Sequence, residues 1–253
     1  MNTTKKVILH MRTFGLIGRN ITHSFSKIYF TEKFQREVVT DATYELFDLA
    51  NINLLQEILD RKPNLCGLNV TIPYKKTVIP LLTDLTPEAS QIGAVNTIKI
   101  TSYKRIGHNT DTHSFERSFT KHLKSHHKQA LILGTGGAAK AIIFTLDKLG
   151  IPYRSVSRKA SPITLTYTEL TPDLLKTHHI IINCSPIGMH PQNHTYPTLP
   201  YEHLTPKHYL YDLVYNPTET LFLKKGREKA CTVQNGLEML HLQADQSWEI
   251  WNT

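Results

Sequence analysis

Asn69-Val70-Thr71-Ile72-Pro73-Tyr74-Lys75 sets a lysine just past an apolar, β-branched run, where a strand ends and an active-site loop commonly begins. Farther along, Gly107-His108-Asn109-Thr110-Asp111 offers a carboxylate in another turn-rich segment. A lysine and an aspartate, each preceded by small hydrogen-bonding residues, can form a proton-transfer pair for a polar substrate. Either residue alone is equally at home in water, since charged side chains are mostly exposed. The elements that must position them decide between the two readings.

Those elements alternate. Residues 13–18 read as a short strand and turn, and residues 24–34 carry apolar side chains at helical spacing. Residues 44–47 and 65–71 read as strands on either side of a helix over 52–59. A helix is expected from Pro73 through Leu82, and another from about Pro87. Residues 95–100 and 103–107 form an expected hairpin, and residues 111–123 a helix leading into a second half. Strands alternating with helices predict βαβ units, a mostly parallel sheet and an α/β fold.

The second half opens with an apolar strand, residues 129–133, followed at once by Gly134-Thr135-Gly136-Gly137-Ala138-Ala139 and an amphipathic helix over 140–149. This is a GxGxxA dinucleotide fingerprint: one glycine makes the turn, the next admits the pyrophosphate, and a small residue packs helix on strand. The helix N-terminus supplies unpaired amides for phosphate. An NAD site needs an acidic residue about twenty positions on, to hold the ribose 2′-hydroxyl. Here the second strand ends in Ser157-Arg158-Lys159, and no Asp or Glu falls between Asp147 and Glu169. Two cations there suit a 2′-phosphate, so NADP is the expected cofactor.

Composition narrows the class. The 253 residues, 40% hydrophobic and 20% charged, fit one large globular domain or two small ones. No apolar run approaches the roughly eighteen residues of a membrane span. In the N-terminal stretch charge returns too soon for a signal peptide, and a cytoplasmic location is expected. Cys66, Cys184 and Cys231 lie far apart and read as small buried hydrophobes rather than a disulfide framework. The net charge of +8 is scattered; its densest run, Lys121 to Lys128, reads as a solvated helix end, so nucleic acid is not the expected partner. His122 and His126 have helical spacing without an intervening HExxH glutamate, so surface histidines are expected in place of a metal site.

With these residues in view, the chain resembles the shikimate dehydrogenase family along nearly its whole length. Gly18 followed by His23-Ser24-Phe25-Ser26 is similar to the family's HSxS segment, and NVTIPYK matches its lysine motif unbroken. Ile92-Gly93-Ala94-Val95-Asn96-Thr97, the GxNTD segment at 107–111, Asn183-Cys184-Ser185-Pro186-Ile187-Gly188, Asp212-Leu213-Val214-Tyr215-Asn216-Pro217 and Met239-Leu240-His241-Leu242-Gln243 follow in the family's order. The resemblance implies reversible NADPH-dependent reduction of 3-dehydroshikimate to shikimate. It implies Lys75 and Asp111 as the catalytic pair, and Ser24 and Ser26 on the substrate carboxylate. Asn69, Thr71, Asn96 and Gln243 would meet the ring hydroxyls, with Tyr215 nearby. Gly134, Thr135, Gly136, Gly137, Ala138, Ser157, Arg158 and Lys159 would hold the cofactor, with Leu213 and Gly236 toward its nicotinamide end. No metal is implied.

The same resemblance implies two α/β domains: a substrate-binding one over 1–112 plus 237–253, and a Rossmann-type NADP-binding one over 113–236. The last helix, with Leu237, Leu240, Ala244, Trp248 and Trp251 three or four apart, would return to the first domain. A small-molecule substrate bound between them, and a monomer or homodimer, complete the expectation. Three positions depart from the family pattern: Gly18-Arg19-Asn20 in place of Gly-x-Pro, Lys27 in place of proline, and Ser114 in place of glycine. A quinate dehydrogenase using NAD is the enzymatic alternative; the Arg158-Lys159 pair argues against it.

Overall fold

A computed structural model describes residues 11–22, 24–159 and 161–253. His23 of the HSxS segment and the N-terminal stretch through His10 lie outside the described residues. The chain divides into two compact units, one formed by the chain up to Asn109 together with Ala244–Thr253, the other by Thr110–Gln243.

The first unit is built on strands β1 (Arg12–Gly18), β2 (Ala42–Asp48), β3 (Leu65–Val70), β4 (Asp84–Leu85), β5 (Thr97–Ile100) and β6 (Arg105–His108). Their spatial order is β2-β1-β3-β5-β6-β4. β2, β1 and β3 are parallel, whereas β5 runs antiparallel to both β3 and β6. The sheet is therefore mixed where a mostly parallel one was expected, because the hairpin β5–β6 inserts two consecutive strands. Helices α1 (Phe25–Arg36), α2 (Leu55–Arg61) and α3 (Pro87–Ile92) connect the strands.

The expected helix over 73–82 is instead a series of turns closing on a 3₁₀ turn, Ile79–Leu81. Pro80 supplies no amide donor and the β-branched Thr77, Val78 and Ile79 resist the helical rotamers, so propagation fails there. The helix expected over 111–123 likewise closes early: α4 (Asp111–Phe119) runs into a 3₁₀ turn at Thr120–His122.

In the second unit, β7 (Ala130–Leu133), β8 (Tyr153–Ser157), β9 (Thr164–Thr166), β10 (Ile180–Asn183), β11 (Tyr209–Asp212) and β12 (Thr232–Gln234) form a wholly parallel sheet in the order β12-β11-β10-β7-β8-β9. Counting from β7, this is the doubly wound order, reversing between β7 and β10. Helices α5 (Gly137–Lys148), α6 (Pro172–Thr177) and α7 (Leu221–Glu228) make crossovers. Strand residues on both faces are buried, as a sheet covered by helices requires: Ile180, Ile181 and Ile182 are each 0% exposed.

The last helix, α8 (Leu237–Asn252), contributes to each core separately. Met239 joins the second unit's core around Ile132, Ile142 and Tyr211. Ala244, Trp248 and Trp251 join the first unit's core with Phe14, Phe30 and Tyr44. Trp251 stacks on Phe14 at a 4.9 Å centroid distance and donates its indole N–H to the Ile98 carbonyl at 3.0 Å. Trp248 meets the edge of the same ring at 5.3 Å. Burying two indoles of about 200 Å² each accounts for how firmly this tail belongs to the first unit.

Candidate active site

In the first unit, strand registers gather the polar candidates at one sheet edge. Ile17 pairs with Val70, Asn69 with Thr97, and Thr97 with His108. The ends of β1, β3 and β6 and the start of β5 therefore lie together. Gly18 makes the approach of the first two loops possible: a Cβ there would meet Thr71 Cγ2 at 2.5 Å. The loops are stitched by the Thr71 amide to the Ile17 carbonyl (2.9 Å) and the Arg19 amide to the Ile72 carbonyl (3.1 Å).

Ser24 is the N-cap of α1, and its hydroxyl oxygen accepts from the Ser26 amide at 3.3 Å. The first turn carries no acidic residue, so the amide-rich helix start remains suited to an anion. Ser26 is 9% exposed, and Lys27 beside it is exposed. At the other end of the same loop Asn20 takes the left-handed conformation, φ 57°, with its amide donating to the Asp48 carboxylate at 2.8 Å. Asparagine tolerates that conformation and a proline could not make that bond, which accounts for the departure at this position.

Lys75 is half-buried and its backbone is fixed on both sides. Tyr74, buried, donates its hydroxyl to the Leu49 carbonyl at 2.6 Å, and the Val95 amide donates to the Lys75 carbonyl at 2.7 Å. Asn96 is 2% exposed; its carbonyl accepts from the Val70 amide and its amide donates to the His108 carbonyl. Asn69, 4% exposed, spends its side chain inside the unit: its Oδ1 accepts from the Tyr44 hydroxyl (2.8 Å) and its Nδ2 donates to Ser247 Oγ (2.8 Å). Thr71 is half-buried in the loop between them.

In the second unit, Asp111 is the first residue of α4 and 5% exposed, where a carboxylate complements the helix dipole. Thr110, fully buried, donates its hydroxyl to the Gln243 carbonyl at 3.2 Å, which ties Gln243 to the start of α4. Ser114, where the family pattern has glycine, is also fully buried and donates to the Thr110 carbonyl at 2.7 Å, so its extra hydroxyl is satisfied.

The glycine loop has the form its sequence predicts. Gly134 has φ +114°, a conformation that disfavours side chains, and a Cβ there would press on the Cys184 and Ser185 backbone at 3.3 Å. A Cβ on Gly136, the N-cap of α5, would meet nothing within 4 Å. That open face in front of a helix start fits a dinucleotide pyrophosphate, and Ala139, 1% exposed, lets the helix lie close on the sheet. At the end of β8, Ser157 is half-buried and Arg158 and Lys159 are exposed. The residues present fit NADP.

Beyond β11, Gly236 lies against Leu213: a Cβ would fall 2.2 Å from the Leu213 carbonyl oxygen, so only glycine fits. Tyr215 is half-buried in the same segment. Beneath it lies a group that the sequence reading missed. Asp212, fully buried, accepts from Thr220 Oγ1 (2.6 Å), Asn183 Nδ2 (2.9 Å) and the Val214 amide (3.0 Å). Burial nevertheless pushes its carboxyl up to about 7. The Asn183 Oδ1 in turn accepts from the Ser185 amide and hydroxyl, at 3.1 and 2.6 Å. This network joins the turns after β10 and β11 at the sheet edge where doubly wound folds take their ligands.

Further histidines than expected are internal. His122 is exposed, but His127, His178 and His208 are 6%, 7% and 2% exposed. The run 121–128 is thus a solvated surface only in part, because His127 turns inward to stack on Tyr209 at 5.8 Å. Among the described residues no group of three or more His, Cys, Asp or Glu is placed to hold a metal. No helix among them is long and apolar enough to cross a membrane. The three cysteines are free; Cys231 is buried, whereas Cys66 and Cys184 are only half-buried.

A doubly wound parallel sheet with an open glycine loop and a basic β8 end defines a Rossmann-type dinucleotide-binding protein, here joined to a second α/β unit with a polar sheet edge. Comparison with known proteins narrows this further. The shikimate dehydrogenase substrate-binding domain matches residues 16–98. The NADP(+) shikimate dehydrogenase of Desulforamulus reducens is 33% identical over 258 residues, spanning 94% of this chain and 88% of its own. The solved shikimate dehydrogenase 1 of Peptoclostridium difficile is 32% identical with a TM-score of 0.86, covering 96% of this chain and 92% of that one. The enzyme of Thermus thermophilus, solved with NADP(H) and shikimate, is 26% identical with a TM-score of 0.84, covering 95% and 93%. The chain belongs to the shikimate dehydrogenase family.

Proposed function

We propose that this chain is an NADP-dependent shikimate dehydrogenase, reversibly reducing 3-dehydroshikimate to shikimate, with the first unit as the substrate-binding domain and the second as the cofactor-binding domain. The observation that supports this is that the strand ends leading into the Ser24, Thr71–Lys75 and Asn96 segments lie together at one sheet edge, in a chain whose other unit has an open glycine loop.

NADPH, when bound, supplies the hydride that reduces the ketone. Reduction develops negative charge on the carbonyl oxygen, and Lys75 is the group that stabilises and protonates it. Asp111 is the second member of the proposed catalytic pair and accepts from a neighbouring substrate hydroxyl. Ser24 and Ser26 hold the carboxylate by their hydroxyls at the start of α1, with Lys27 and Arg19 adding positive charge. Thr71, Asn96 and Gln243 hydrogen-bond ring hydroxyls, with Tyr215 beside them. Gly134, Thr135, Gly136, Gly137 and Ala138 hold the pyrophosphate, Ser157, Arg158 and Lys159 the 2′-phosphate, and Leu213 and Gly236 border the nicotinamide. A biosynthetic reductase of small molecules belongs in the cytoplasm.

The test is NADPH oxidation followed by absorbance with 3-dehydroshikimate, beside NADH, beside quinate with each oxidised cofactor, and beside Lys75→Ala. Turnover with NADPH and a loss of kcat by about a thousandfold or more in Lys75→Ala are expected. Folded protein that turns over neither cofactor with 3-dehydroshikimate would overturn the assignment.

A further inference from the structure

The first unit buries a chain of polar side chains in which Tyr44, Thr97 and Ser247 have none of the site roles assigned above. Tyr44, on β2, donates to Asn69 Oδ1 at 2.8 Å. Asn69, on β3, donates to Ser247 Oγ of α8 at 2.8 Å. Ser247 and Thr97 Oγ1, at the start of β5, share a 2.7 Å hydrogen bond. Thr97 then donates to Asn96 Oδ1 at 3.2 Å. Asn69 reinforces the far end through Thr97 Oγ1 at 3.3 Å. Tyr44 is 5% exposed, Asn69 4%, Asn96 2%, and Thr97 and Ser247 are 0%.

The two ends are what give the chain meaning. One terminates on the amide of Asn96, fixing which way its oxygen points. The other terminates on the Tyr44 phenol of β2, bonded to Asn69 Oδ1. The path thus runs from β2 through β3 and α8 to the start of β5 and a ring-hydroxyl contact without leaving the core. A packed apolar set of the same volume would be at least as stable, because each buried polar group is desolvated and its net hydrogen-bond gain is only about 1 kcal/mol. Such networks hold side chains in one orientation, which apolar packing does not. The last helix is also anchored independently by Trp248 and Trp251, so Ser247 is not needed to dock it.

We infer that Tyr44, Asn69 and Ser247 are positioning residues for substrate, a buried relay that holds Thr97 and, through it, the Asn96 side-chain amide in one orientation for a ring hydroxyl. The inference rests on the dehydrogenase reading above and refines it.

The experiment is steady-state kinetics of Tyr44→Phe and Ser247→Ala, with shikimate binding by calorimetry and thermal unfolding alongside. Tyr44→Phe removes the bond to Asn69, Ser247→Ala removes those to Asn69 and Thr97, and both leave the surrounding packing, so the KM for 3-dehydroshikimate is expected to rise about tenfold. The KM for NADPH stays as in the wild type, and kcat falls less than KM rises. In Tyr44→Phe combined with Asn96→Ala, the penalties are expected to be less than additive, since Tyr44 acts on substrate through Asn96. A lowered melting temperature with an unchanged substrate KM, or full additivity in the double variant, overturns the relay while leaving the dehydrogenase reading intact. Wild-type protein that neither turns over nor binds shikimate overturns both.

Discussion

On the proposed reading, Arg158 and Lys159 carry the cofactor choice. Both are exposed at the end of β8, and burial of the nearby Tyr167 phenol raises its pKa while the Arg158 guanidinium opposes that rise. A 2′-phosphate brings a dianion to this point, whereas a free 2′-hydroxyl asks for an acceptor that the strand end does not provide. Replacing both by alanine is expected to raise the KM for NADPH by about tenfold to a hundredfold, at about 1.5–3 kcal/mol for charge-assisted bonds. NADH kinetics and the melting temperature should stay as they were, which steady-state assays with the two cofactors read directly; a parallel loss with NADH would place the pair elsewhere. Their placement was legible in the sequence because it depends on local position, a strand end after a glycine loop. The roles of Tyr44 and Ser247 were not: each arises only through a partner that the fold brings from a distant strand or helix. Nothing in DLVYNP marks Asp212 as a buried carboxyl held by Asn183 and Thr220.

At the scale of elements, β3 and the end of α8 impose the tightest constraint. A Cβ on Gly67 would lie 2.3 Å from Trp251 Nε1 and 2.4 Å from its Cδ1. Trp251 cannot yield, since it is 6% exposed, stacks on Phe14, packs against Phe30 at 5.5 Å and is bonded to the Ile98 carbonyl. Gly67→Ala is therefore expected to cost about 2–3 kcal/mol by overpacking, measured by denaturant unfolding. Trp251→Ala removes the obstruction and leaves a cavity costing about 3–5 kcal/mol. The double variant should cost less than the sum of the two, and simple additivity would show that the glycine and the indole do not meet. Period and punctuation made most elements readable, including the glycine-loop strand and helix and the final amphipathic helix. They failed at 73–82, where the apolar spacing is helical but Pro80 and three β-branched residues deny the backbone a helix. The mixed first sheet was equally hidden, because a hairpin's insertion between β3 and β4 is a matter of long-range pairing.

At the scale of the whole chain, fourteen histidines make stability depend on pH in a calculable direction. In His127, Nδ1 accepts from the Lys124 amide at 3.0 Å, so the ring proton sits on Nε2, bonded to the Lys207 carbonyl at 3.0 Å. His208 repeats the arrangement, with Nδ1 accepting from the Thr205 amide at 3.0 Å and Nε2 bonded to the Leu175 carbonyl at 3.1 Å. Protonating either ring breaks the first bond and puts a charge in the core. Burial accordingly pulls His127 down to about 4, with His126, His179 and Lys124 pushing the same way, and lowers His208, with His179 adding to it, and His178, with Arg154 and His179 adding to it. Between a folded value near 4 and an unfolded value near 6.5, the unfolded chain binds more protons, so this stability is complete above the unfolded value and lost as pH falls. Asp212 has the opposite sign: with its folded value near 7 it keeps a proton that the unfolded chain releases above about 4, and its contribution is lost as pH rises. Three histidines act against one carboxyl over this range; Asp41, whose carboxyl is lowered by its hydrogen bond to Arg12, adds to the acid loss only below about pH 4. Between pH 7.5 and pH 5 the histidines are therefore expected to lower the melting temperature as pH falls while Asp212 raises it. His127→Gln with His208→Gln, whose amides can both accept and donate at the same positions, should weaken the histidine-driven fall, and Asp212→Asn should leave it unopposed. Scanning calorimetry across the interval decides the matter, because a profile unmoved by the paired glutamines would mean that the buried histidines titrate alike in the folded and unfolded chain.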